Sequence, residues 1–108
     1  PAILGDIHAR AHLNLAALLA HCAGLPLADL ERSLPGFGYP TVRLQLHHAI
    51  TAERYWRGVL EGRIDAEDDD PDYPTITSLE NLRRAVAAGT AAYLQTTTVD
   101  ALCTPRPM

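Results

Sequence analysis

Lysine is missing from this 108-residue chain: its nine basic residues are all arginine, and they do not gather into a stripe. Set against 13 acidic residues, they leave a formal charge of -4. A chain so charged has no basic track along a phosphate backbone, which argues against nucleic acid as a partner. Cysteine is scarce as well. Cys22 and Cys103 lie far apart without Cys-x-x-Cys spacing, so neither a zinc knuckle nor a dithiol redox motif is present. Two isolated thiols with no disulfide framework fit a reducing compartment. No run approaches the roughly 18 apolar residues of a membrane span. The beginning of the chain also lacks a basic region followed by an apolar core, so the expected location is cytoplasmic. There is no Gly-rich phosphate loop, no Ser/His/Asp order and no cysteine-nucleophile signature. No segment alternates with a strand period, and none repeats.

What is present is helical. At 47% hydrophobic, the chain carries enough apolar material for one domain with a core. Leu4, Ile7, Ala11, Leu15, Leu18 and Cys22 recur at 3/4 spacing and predict a first helix from Ile3 to Ala23, stopped by Gly24 and Pro26. The segment 27–33 has room for one or two turns before the glycines and prolines of 34–40 forbid regular structure. A second helix is expected from Thr41, as cap, to near Gly62. Residues 65–72 contain six acids in eight positions and read as a solvated crossover loop. A calcium loop is the sharper alternative, but the central glycine and terminal glutamate of an EF-hand are missing. Thr77-Ser-Leu-Glu80 reads as a capping box opening a third helix that buries Leu79, Leu82, Val86, Gly89 and Tyr93. Three such helices leave a groove for a fourth, supplied by sequence after Met108 or by a second subunit. The expected fold is therefore an all-α four-helix bundle with three long helices in this chain, which reads as one domain over 1–108, incomplete at its C-terminus.

The densest chemistry lies in the second helix. At 100° per residue from Val42, the apolar positions Leu46, Ala49, Ile50, Ala52, Tyr55, Trp56, Val59 and Leu60 form one arc, and His48 and Glu53 fall inside it. His47 projects with Arg43, Thr51, Arg54 and Glu61 toward water on the same wheel. His48 is thus the candidate metal ligand, with a core-edge histidine bonded to a carbonyl as the plainer reading. Glu53 is expected as a buried ion-pair partner or acceptor, with direct ligation or general-base chemistry as the alternative. His8 and His12 make an i, i+4 pair that can chelate a metal from one helix face, or else sit as partly exposed boundary residues. His21 suits the helix dipole, and Cys22, Tyr55 and Trp56 read as core.

The order of Asn14-Leu-Ala-Ala-Leu-Leu19, then Leu25 to Gly36, then Val42 to Trp56 resembles the DinB/YfiT-like metalloenzyme superfamily. Its helix-two pattern, a His followed five residues later by Glu and then an aromatic, is matched by His48, Glu53 and Trp56. The resemblance implies a bundle, often dimeric, with a divalent metal such as zinc or nickel on three histidines. One of these maps onto His48, and the other two would lie in a helix after Met108. It further implies a small-molecule substrate and thiol-dependent transferase, isomerase or hydrolase chemistry using a low-molecular-weight thiol. Two other readings follow from the residues: a non-catalytic helical dimerisation domain with structural His48 and Glu53, and a site formed within the chain by His8, His12 and His48.

Overall fold

The computed structural model describes residues 2–36, 38–63 and 73–105. Among the described residues five helices follow one another: α1 (Ala2–Ala23), α2 (Leu27–Glu31), α3 (Val42–Leu60), α4 (Ile76–Thr96) and α5 (Val99–Cys103). No strand occurs among the described residues, and no helix there is long and apolar enough to cross a membrane. The architecture is an all-α bundle with three long helices, as the periodicity implies. The acidic stretch 65–72, expected as a crossover or calcium loop, lies outside the described residues.

Local chemistry sets the helix ends. The Thr41 side chain accepts from the Leu44 amide and caps α3 as expected. At the far end Gly62 has φ of 80°, its amide donates to the Val59 carbonyl, and the Arg63 amide donates to Gly58. That pair of bonds is the Schellman arrangement, and the left-handed position is the reason glycine ends this helix. The capping box of α4 begins two residues earlier than expected. Thr75 and Ser78 exchange side-chain to amide bonds at 3.1 Å each, so Ile76 and Thr77 are already helical. Thr77-x-x-Glu80 matched the residue types of the motif; Thr75-x-x-Ser78 has the geometry.

α4 packs against both α1 and α3. Cys22 and Thr75 share a cavity wall while His8 and Thr90 meet the same carboxylate, so α1 runs antiparallel to α4. Arg43 lines the same cavity as Thr75 and Arg57 bonds to Thr90, so α3 runs parallel to it. The apolar core occupies the α2 end, where Leu19, Cys22, Leu30, Leu46, Ile50, Leu79, Leu82 and Val86 form one buried cluster. Beyond it, toward the start of α1, the interior turns polar.

Two helix faces differ from the wheel. On α1 the inward stripe is His8, His12, Leu15, Leu19 and Cys22, whereas Leu4, Ile7 and Leu18 are exposed. On α3 the buried residues are Leu46, His47, Ile50, Thr51, Gly58 and Val59, while His48 and Ala49 are exposed and Trp56 is 51% exposed. The expectation that His48 turns inward and His47 outward is therefore reversed. The wheel weighted every alanine and aromatic as core. Polar residues that bring their own partners occupy that face instead: Thr51 donates to the His47 carbonyl at 2.9 Å, and Arg57 crosses to α4.

Arg57 shows how tightly this polar layer is fitted. Its Nη1 donates to the Val86 carbonyl at 2.8 Å and to Thr90 Oγ1 at 3.0 Å, and its guanidinium occupies the space that a Cβ on Gly89 would need. In an open helix Gly→Ala gains about 1 kcal/mol, whereas losing charge-assisted bonds costs about 1.5–3 kcal/mol. Gly89→Ala should therefore lower stability by about 1 kcal/mol in the wild-type background and raise it when Arg57 is also Met, a sign change that denaturant unfolding of the four proteins would read.

Candidate metal centre

Three donor side chains converge where the apolar core gives way to the polar layer. His8 and His12, one turn apart on α1, face Glu53 from the middle of α3. His8 Nε2 lies 3.1 Å from Glu53 Oε2, and His12 Nε2 lies 2.8 Å from Oε1. The imidazole rings meet edge to face with centroids 4.6 Å apart. One ligand atom from each of the three residues falls within 4.8 Å of the others. His12 is buried, while His8 and Glu53 are half-buried.

α4 closes the group from behind. Thr90 Oγ1 donates to Glu53 Oε2 at 2.8 Å and accepts from Arg57, so an arginine on α3 orients a carboxylate on the same helix through a hydroxyl on its neighbour. Burial alone would raise the Glu53 carboxyl, yet hydrogen bonds from Thr90, His12 and His8 bring it below its ordinary value. Glu53 is thus a carboxylate at neutral pH. On the other side of His12, Arg83 Nη1 lies 3.2 Å from Nδ1. A guanidinium can only donate, so Nδ1 accepts and the ring proton resides on Nε2, where it meets Glu53. Arg83 is itself held by Glu80, which accepts from its Nε at 2.8 Å and also from Nη2. An unbroken chain of polar contacts therefore runs from Arg57 through Thr90, Glu53, His12 and Arg83 to Glu80.

Of the residues singled out in the sequence, the structure brings together His8, His12 and Glu53. It does not bring in His48, whose ring stacks on Tyr39 at the surface with centroids 4.4 Å apart and planes 26° from parallel. A site made of His8, His12 and His48 is not formed, and Glu53 stands in the third place. His47, read as solvent-facing, is buried with its ring 5.6 Å from Tyr73. His21 is exposed in the last turn of α1, as expected of a dipole partner. Cys22 is buried in the core, and burial pushes its thiol up. Tyr55 and Trp56 pack edge to face at 5.1 Å; Tyr55 is half-buried, whereas Trp56 lies toward solvent, contrary to its reading as core. Arg83 and Thr90 were not foreseen. The signal for them lies in spacing: seven residues apart, they share a face of α4 with the buried Leu79 and Val86.

The donor chemistry suits a transition-metal ion. Two imidazoles from an i, i+4 pair and one carboxylate are ligands that zinc accepts, and a three-residue set leaves a coordination position open. The polar atoms already face one another, so ligation asks for side-chain rotation and leaves the helices in place. The one contrary feature is Arg83, which stands where a ligating histidine usually finds an acceptor for its second nitrogen.

Residues 10–108 match the family model described as the DinB superfamily. A comparison with curated proteins gave no match.

Glu80 is the anchor of this arrangement and its role depends on pH. Hydrogen bonds from Arg83 outweigh burial and, with the charges of Arg83 and Arg84, hold its carboxyl below the ordinary value. Because the folded-state value lies below that of the unfolded chain, the stabilisation is complete above about pH 4.3 and is lost as pH falls through the folded value. The stability gap between the protein and Glu80→Gln should be widest near neutral pH and close on acidification. A gap that persists unchanged at about pH 2.5, below the ordinary carboxylate range, would contradict this.

Proposed function

The chain belongs to the DinB superfamily, and from that membership and the convergence of His8, His12 and Glu53 we propose that it is a metal-dependent enzyme holding one divalent cation on those three side chains. The observation carrying this reading is the cluster itself: three groups with ligand chemistry, from two helices, aimed at one point beside the core. Imidazole donors with a carboxylate suit zinc or nickel better than calcium or magnesium. Such an ion, when bound, supplies Lewis acidity that lowers the pKa of a water or thiol at its open position.

The chain's own residues supply the rest. Thr90 and Arg57 hold Glu53 beside the two histidines, and the carboxylate is ionised at neutral pH. The His12 and His8 side chains are both well covered, at 10% and 14% exposure, and Glu53 at 28% forms the side nearer solvent, from which a small molecule would approach. The thiol-dependent chemistry implied by resemblance to the DinB/YfiT-like superfamily supports a small-molecule substrate and a transferase or hydrolase reaction that uses a low-molecular-weight thiol. A reducing cytoplasm keeps such thiols available. Ile3, Ile7 and Leu13 on the outer face of α1 are 71%, 56% and 72% exposed, a surface suited to a homodimer.

A second reading has an observation of its own. The Arg83 contact on His12 satisfies the ring without any ion, so the same residues can act as a polar staple joining α1, α3 and α4. Metal content separates the two. On the proposed reading the protein carries roughly one zinc or nickel per chain, Glu53→Gln and His12→Ala lose it, and His48→Ala keeps it. If no variant or wild-type sample holds metal, and His12→Ala only lowers stability, the staple is the function of these residues. Loss of metal in His48→Ala alone would move the site to the α3 surface.

A further inference from the structure

The proton on His12 sits on the nitrogen that a cation would need, and the reason is a residue on another helix. A neutral imidazole has one N–H and one lone pair. Arg83 Nη1, 3.2 Å from Nδ1, claims the lone pair, which leaves the N–H on Nε2 pointing at Glu53 2.8 Å away. A cation at Nε2 requires the opposite tautomer, with the proton on Nδ1. That proton would face the N–H of a guanidinium that cannot give up its own, and the dication would gain a fixed positive charge as neighbour. Metal at His12 and Arg83 at His12 exclude each other.

Resting on the metal reading above, we propose that Arg83 is a positioning residue that sets the cation affinity of the His8–His12–Glu53 group by holding His12 in the non-ligating tautomer. The arrangement is built for this. Glu80, one turn back on α4, takes both Nε and Nη2 of Arg83 and leaves Nη1 directed at the ring. The Arg83 side chain is 11% exposed, so its direction is fixed by packing as well as by the ion pair. Arg84 binds the same Glu80 from the solvent side at 3.1 Å, which steadies the carboxylate without reaching His12. Loading then has a defined proton balance. Nε2 releases one proton to solvent as the cation–nitrogen bond forms, Nδ1 takes one from solvent, and the ring stays neutral. Arg83 keeps its charge and turns away from the ring. The cation therefore binds only as well as it can displace a held guanidinium, which lowers its affinity for the group.

The test uses the full chain and zinc alone. Isothermal titration of wild type, Arg83→Met and Arg83→Gln should show both variants binding zinc at least tenfold tighter, Met by removing the donor and Gln by offering an amide oxygen to Nδ1–H. The gain should disappear when His12→Ala is added to either variant. Nitrogen-15 spectra of histidine-labelled protein give a readout that a merely structural arginine would not move. His12 should be an Nε2–H tautomer in metal-free wild type and an Nδ1–H tautomer in the zinc form, and Arg83→Gln should populate the Nδ1–H form before zinc is added. Wild type that binds zinc with an affinity unchanged or weakened in both variants would overturn the role of Arg83 and leave the metal reading standing. Absence of zinc binding in all three would overturn both, whereas binding by the variants alone would support the role of Arg83 and overturn the reading of the wild-type protein as a metal enzyme.

Discussion

One half-buried carboxylate organises the interior of this protein. Glu53 accepts from His8, His12 and Thr90, and through them it joins α1 and α4 to α3 at the level where the apolar core stops. A carboxylate in that position is tolerated only with donors around it, so its neighbours follow from it. The histidines on the α1 stripe, the threonine on α4 and the arginine that holds the threonine are all parts of one solution to burying a single charge. The same solution gathers ligand groups, which is how a stability requirement and a chemical capability come to share residues.

The apolar half of the bundle was legible in the sequence because its signals are local or strictly periodic. Thr41 and Gly62 bound α3 through a cap and a left-handed turn, and Leu79, Leu82 and Val86 repeat as a buried helix must. The polar half was less legible. Hydrophobicity alone rotated α3 so that His48 faced inward, because Ala49, Ala52, Tyr55 and Trp56 outweighed Thr51 and Arg57 on the wheel. Nothing in a one-helix pattern tells that Thr51 satisfies itself on its own backbone or that Arg57 finds Val86 and Thr90 across the interface. On α1 a better signal was available. Stepping back by three and four from Cys22 and Leu19 through Leu15 reaches His12 and His8, and that stripe carries both histidines inward.

The pair His8 and His12 was visible as a spacing, and Glu53 as a misplaced charge, but their meeting was not. It depends on α1 and α3 flanking α4 in opposite directions, a relation that no local pattern encodes. Family resemblance drew the eye to His48, the histidine at the matching position, whose ring lies on Tyr39 at the surface. The physical requirement of a buried carboxylate points to different histidines. Arg83 adds the competing consideration: the hydrogen bonds that complete the group without metal are the ones a metal must displace.

The claim at the centre is that Glu53 draws His8 and His12 into one ligand set. Anomalous X-ray scattering at the zinc edge from crystals of the zinc-loaded protein tests it most directly. A single peak bonded to His8, His12 and Glu53, with Arg83 turned away from His12, is the expected result. A peak on His48 or elsewhere, with the three side chains still bonded to one another, would contradict it.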